Sequence, residues 1–212
     1  MHVVITGANR GIGKALADVL RKQDHQITGT ARDGSAEVTL DVTDAAQHVA
    51  MAEKLESRPV DLLICNAGVY LDKGQKADGY LSEIWAQSFA TNVTGVFLTI
   101  QALLPNLKKA RGKVAILSSQ MASHTRAPGG SYIYRASKAA VLNLGRNLAT
   151  DLRPDGVAVG IYHPGWVQTD MGGRAADVSV NQAANGLMER FNELSLENSG
   201  CFETWEGHKH PY

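Results

Sequence analysis

The chain has 212 residues, 44% of them apolar, and its 21 basic side chains balance 21 acidic ones. That neutrality argues against a partner such as nucleic acid or another polyanion, and 6% aromatic content argues against a base-stacking surface. Two distant cysteines, Cys65 and Cys201, suit a reducing compartment rather than a disulfide scaffold, and the length suits one domain over residues 1–212.

Apolar and amphipathic runs alternate along the chain. Residues 2–6 (HVVIT) are a β-branched run ending at a glycine, and residues 11–24 put Ile12, Leu16, Val19 and Leu20 on one helical face. Residues 26–31 and 37–40 read as strands and 44–57 as a helix. Residues 60–65 (VDLLIC) read as a strand buried on both faces, with Cys65 as a small buried hydrophobe. Helices follow at roughly 79–90 and 92–110, then a strand at 113–118 and a helix at 134–152 before Pro154. A strand at 157–163, a helix near 180–195 and a short strand near 200–205 close the order. The reading is α/β: a single-domain, Rossmann-type, doubly wound parallel sheet of about seven strands, covered by helices on both faces.

One connection is short. Only RDGSA separates residue 31 from residue 37. Parallel crossovers usually contain a helix, and five residues extend over about 17 Å at most. A bare loop is expected between strands two and three, unless residues 37–40 do not pair at all. No apolar run approaches the roughly 20 residues of a membrane span, and no signal-peptide pattern is visible, so a cytoplasmic location with no membrane partner is expected. The glycosylation-like NVT at Asn92 then reads as chance.

TGANRGIG (6–13) joins the first strand to the first helix. Gly7, Gly11 and Gly13 leave backbone N–H groups bare at a helix N-terminus, where the dipole favours a pyrophosphate. SYIYRASKAA (131–140) offers Tyr132, Tyr134 and Lys138. Tyrosine is a weak acid near neutrality, and a close ammonium would lower its pKa. Residues four apart on a helix differ by about 40° and 6 Å, which pairs Tyr134 with Lys138 and leaves Tyr132 as packing or pocket lining. Small Ala136 and Ser137 between the pair let a ribose approach.

The G-x-x-x-G-x-G spacing resembles that of the classical short-chain dehydrogenase/reductase family. NAG (66–68), TNVTG (91–95), Ser118-Ser119, YRASK (134–138) and HPGWVQTDMGG (163–173) continue the resemblance in order. YRASKAA and the Pro-Gly loop lean towards its small carbonyl reductases and C-signal-like members.

The resemblance implies Tyr134 as general acid/base and Lys138 as its partner and ribose ligand. It implies Ser119, the last of the serine pair, as the group bonding the substrate oxygen. Asn92 resembles the residue that holds a relay water; its alternative is a helix cap or kink. Implied dinucleotide contacts are Gly7, Asn9, Arg10, Gly11, Ile12, Gly13, Arg32, Asp41, Val42, Asn66, Ala67, Gly68, Pro164, Gly165, Val167 and Thr169. No metal is implied.

Eighteen residues on from Gly13 stands Ala31, where an acid would bind the ribose 2′-hydroxyl of NAD. Arg10 and Arg32 flank that position and suit a 2′-phosphate. NADP(H) is expected. Asp33 swung inward would favour NAD(H) instead, and the two arginines could also be plain surface charges.

The expected activity is hydride transfer between the nicotinamide and a small-molecule carbonyl or alcohol. The alternatives are a dinucleotide-binding signalling protein with little turnover and an NAD-linked alcohol dehydrogenase. Relatives pair long helices across subunits, so a homodimer or homotetramer through 92–110 and 132–152 is expected. His163 reads as a strand-end histidine bonded to backbone. His208 and His210 lack a third metal ligand and read as a tail folded over a subunit edge.

Overall fold

A computed structural model describes all 212 residues. Seven parallel strands form one sheet in the order β3-β2-β1-β4-β5-β6-β7. They are β1 (His2–Thr6), β2 (Gln26–Ala31), β3 (Val38–Thr39), β4 (Leu62–Cys65), β5 (Lys113–Leu117), β6 (Ala158–His163) and β7 (Phe202–Thr204). The helices are α1 (Gly11–Lys22), α2 (Ala45–Leu55), α3 (Ser82–Phe89), α4 (Gly95–Ala110), α5 (Tyr132–Asp151) and α6 (Val180–Glu193).

Strand side chains alternate between faces, and both faces are apolar, so two cores form. On one, Leu63, Val114, Ile116 and Ile161 pack with Ile100, Leu103 and Leu107 of α4 and Val141 of α5. On the other, Val3, Ile5, Leu62, Ile64 and Tyr162 pack with Leu16 and Leu20 of α1 and Leu187 and Phe191 of α6. Cys65 is buried, as expected, and burial pushes its thiol up to about 12, which keeps it un-ionised.

The connection from β2 to β3 is a loop without a helix. It can be short because β3 pairs only with the last residues of β2, Thr30 with Val38 and Ala31 with Thr39. Where a longer β3 would continue, the Glu37 carboxylate accepts from the Gly29 N–H at 2.9 Å. A side chain thus replaces the outermost strand residue that the sequence pattern placed at 37.

The two helices expected at 79–90 and 92–110 are one continuous helical segment, Ser82–Ala110, of 29 residues. A π-helical turn, Ala90–Thr94, joins α3 to α4 instead of a break. The merged segment corrects the expectation that nothing is long and apolar enough to cross a membrane: its most apolar stretch has a mean hydropathy of 1.2. In the fold, its Val96, Ile100, Leu103 and Leu107 are buried in the core.

Gly95 opens α4 beside the chain that leaves β3. A Cβ built there would lie 2.7 Å from the Val42 carbonyl oxygen and 2.8 Å from a Val42 methyl. Gly95→Val should therefore destabilise the fold by about 1–3 kcal/mol, the usual range for overpacking. Thermal unfolding checks this, at roughly 2–4 °C per kcal/mol for a chain of this size. An unchanged or raised Tm would show that this close approach constrains nothing.

Candidate active site

The strands' C-terminal edge carries the site, as expected for an open α/β sheet. The β1–α1 turn is shaped by backbone alone. Gly7 and Gly11 have φ of +67° and +53°, values side chains disfavour. A Cβ on Gly13 would stand 2.2 Å from the Gly7 carbonyl oxygen and 2.5 Å from Asn66 Nδ2. Asn66 locks the turn by donating to the carbonyls of Thr6 and Gly7. The start of α1 has no side-chain cap and no acid in its first turn. An uncapped helix start beneath a glycine turn fits a pyrophosphate.

Ser118 and Ser119 follow β5 and diverge. Ser118 Oγ donates to the Lys138 carbonyl at 3.0 Å, which spends it on structure. Ser119 caps the 3₁₀ turn Gln120–Ala122, accepting from Met121 N at 3.1 Å, and its hydroxyl stands near the Tyr134 phenol. Tyr134 and Lys138 are both buried on α5, with Lys138 Nζ 5.6 Å from the centre of the Tyr134 ring. Tyr132 is 46% exposed and packs on Tyr80, so the two tyrosines separate as their spacing predicts.

The electrostatics differ from expectation. Burial dominates and raises the Tyr134 pKa, the nearby Ser119 hydroxyl pulls it down, and Tyr70 and Asp72 push it up. Burial also lowers Lys138 to about 8. Desolvation disfavours each charged form. Lys138 Nζ donates to the Leu117 carbonyl at 2.9 Å, its one protein acceptor. A buried ammonium with spare donors suits ribose hydroxyls. Gly68 borders that side, its Cβ position 3.6 Å from Lys138 Nζ.

Asn92 sits inside the π turn with its side chain making three hydrogen bonds. Oδ1 accepts from Val69 N at 2.8 Å, and Nδ2 donates to the Val69 carbonyl and Ser137 Oγ at 2.9 and 3.0 Å. Its side chain ties the loop after β4 and α5 to the π turn.

At the adenosine end, Ala31 is buried and Arg32 exposed, beside Asp41. Asp41 Oδ1 is engaged by Thr43 and Val42 is buried, its carbonyl accepting from His48 Nε2. Asp33 turns towards the glycine turn and accepts from Asn9 Nδ2 at 3.1 Å. Arg10 does not reach the ribose end here; it pairs with Asp170 at 3.2 Å. Asp170 belongs to the loop after β6 that carries Pro164, Gly165, Val167 and Thr169. Thr169 lies across from Gly11, within 3.4 Å of where a Cβ would be. Ile12 is partly buried and packs on the α1 side of the core, and Ala67 packs against the other core.

Sequence reasoning missed Asp72, Tyr70 and Asp170. Asp72 is wholly buried and caps α5, accepting from Ile133 N at 2.9 Å and Tyr134 N at 3.2 Å. The partners stand 61 and 62 residues apart, and no spacing rule reaches that far. For Tyr70 and Asp72, only their place directly after NAG was a signal.

His163 was expected to bond backbone, and its buried Nδ1 has no partner. The tail lies on its own chain: His210 packs on Phe202, and Tyr212 lies under the Arg146 guanidinium at 3.8 Å. Burial first, then the charges of His210 and Arg126, depress His163 to about 4. Its folded pKa lies below the ordinary 6.5, so unfolding takes up a proton between those values. Its contribution is complete above pH 6.5 and fades as pH falls to 4. His163→Gln should flatten that acid loss, measured by urea unfolding at several pH values. Parallel losses in the two proteins would exclude His163 as the titrating group.

The family model described as short chain dehydrogenase matches residues 1–179. The chain is 38% identical over 165 residues to the C-signal of Myxococcus xanthus, covering 77% of this chain and 99% of that one. It is 30% identical to a 3-oxoacyl-[acyl-carrier-protein] reductase of Escherichia coli, over 79% of this chain and 74% of the reductase. Among solved structures, an NADPH-bound carbonyl reductase from chicken fatty liver superposes with a TM-score of 0.91 at 30% identity, covering 100% of this chain and 98% of the other. A carbonyl reductase from Pseudomonas aeruginosa gives 0.88 at 30% identity, covering both chains completely.

Proposed function

The chain belongs to the short-chain dehydrogenase/reductase family of oxidoreductases, and from that premise we propose that it is an NADP(H)-dependent reductase of small carbonyl compounds. The observation that carries this reading is the meeting of three buried groups beside the glycine turn. The Ser119 hydroxyl stands near the Tyr134 phenol, and Lys138 lies one helical turn on. The NADPH-bound neighbour of the same fold supports the choice of cofactor.

When bound, the cofactor supplies a hydride to the carbonyl carbon. Gly7, Gly11, Gly13 and the start of α1 would hold its pyrophosphate, and Lys138 its nicotinamide ribose. Ser119 donates a hydrogen bond to the substrate oxygen. Tyr134 gives that oxygen its proton as negative charge develops there. The reverse reaction would use Tyr134 as base. Trp166 and Met171 expose apolar surface on the loop after Gly165, which suits apolar carbonyls.

Arg10 and Arg32 would take the 2′-phosphate, with Arg10 leaving Asp170. Asp33, held at Asn9, is the group that would favour NAD(H) instead. The C-signal likeness favours a second reading, a dinucleotide-binding signalling protein with little turnover.

Tyr134→Phe should lower kcat by about 10²–10⁴-fold, the range for a lost general acid, while NADPH still binds. Tight NADPH binding with no Tyr134-dependent turnover across a panel of aldehydes and ketones would instead select the signalling reading. Replacing Arg10 and Arg32 by alanine should weaken NADPH by roughly tenfold or more, as loss of charged hydrogen bonds does, and spare NADH. Wild-type protein that prefers NADH would refute the two-arginine assignment.

A further inference from the structure

Resting on the reading of Tyr134 as proton donor, we propose that Tyr70 is a positioning residue that fixes the plane and reach of the Tyr134 phenol. The two rings are stacked, with centroids 4.2 Å apart and planes 22° from parallel. Helix α5 fixes only the Tyr134 backbone. The ring's own torsions need a side-chain wall, and Tyr70 is the aromatic side chain stacked on it.

Tyr70 is itself held on three sides. Its hydroxyl and Ser131 Oγ share a hydrogen bond of 2.5 Å. Ser131 precedes α5 in a left-handed conformation, φ 51° and ψ 41°, a narrow basin for a serine. Before Tyr70, both backbone groups of Val69 are bonded to Asn92. After it, Asp72 grips the first amides of α5 at Ile133 and Tyr134. The segment VYLD (69–72) therefore clamps the start of α5 through the Asp72 carboxylate, the Tyr70 hydroxyl and the Tyr70 ring. The stack also shields the phenol from water, and that burial is what raises its pKa.

Two consequences separate positioning from mere packing. A loosened ring loses rate without losing binding, because a misplacement of about 1 Å can cost up to 10²-fold. A newly hydrated phenol ionises at lower pH, so the alkaline limb of the kcat profile moves down.

The test compares wild type, Tyr70→Phe and Tyr70→Leu. Tyr70→Phe keeps the ring and should stay within about threefold of wild type in kcat, since only the Ser131 bond is lost. Tyr70→Leu should lower kcat by about 10–100-fold, with KM for the carbonyl and NADPH affinity within threefold, and shift the alkaline limb to lower pH. Ring-flip NMR of Tyr134 in the resting protein, with its signals assigned by their loss in Tyr134→Phe, should show flips at least about tenfold faster in Tyr70→Leu. Should Tyr70→Leu not fold, Tyr70→His carries the same measurements. A Leu or His variant with unchanged kcat and limb, or with unchanged ring flips, overturns the proposal. If the wild type shows no Tyr134-dependent turnover, the reductase reading fails by itself. The ring-flip result then still decides whether Tyr70 holds Tyr134.

Discussion

One buried amide holds the candidate site together. Asn92 engages both backbone groups of Val69 and the Ser137 hydroxyl, and Ser137 in turn donates to the Tyr134 carbonyl at 2.9 Å. Three segments meet there: the loop after β4, the α3–α4 turn, and α5. The π turn has a physical purpose in this view. Its extra residue widens the helix and lets Asn92 reach inward without breaking the run from Ser82 to Ala110. An isolated buried amide would be costly; this one makes three hydrogen bonds, so its burial adds order instead.

Burial then sets the chemistry. Tyr134 and Lys138 lie on the same helix, and both are driven towards their neutral forms. Lys138 is bonded to the Leu117 carbonyl, and both groups are buried. The adenosine end is less settled by charge, because Asp33 and Arg10 are each engaged with partners of their own, Asn9 and Asp170.

Much of the fold was legible because its signals are local. Apolar strands alternating with amphipathic helices leave few topologies, and strand limits such as His2–Thr6 and Gln26–Ala31 match the sequence pattern directly. The short β2–β3 loop was legible too, from chain length against reach. The pattern failed where a contact replaces a regular element. Glu37 looks like the first residue of a strand and instead lends a carboxylate to Gly29. Asn92 looks like a helix start and instead lies within a continuous helix.

By itself the sequence determined the parallel sheet, the glycine turn and the Tyr134–Lys138 pair, because each follows from periodicity or from spacing within one element. Tertiary structure alone decided the direction of the pKa shifts, the Arg10–Asp170 pairing and the grip of Tyr70 and Asp72 on α5. Those depend on which groups meet across about 60 or more residues and how dry the meeting place is. Neither quantity has a periodicity to read.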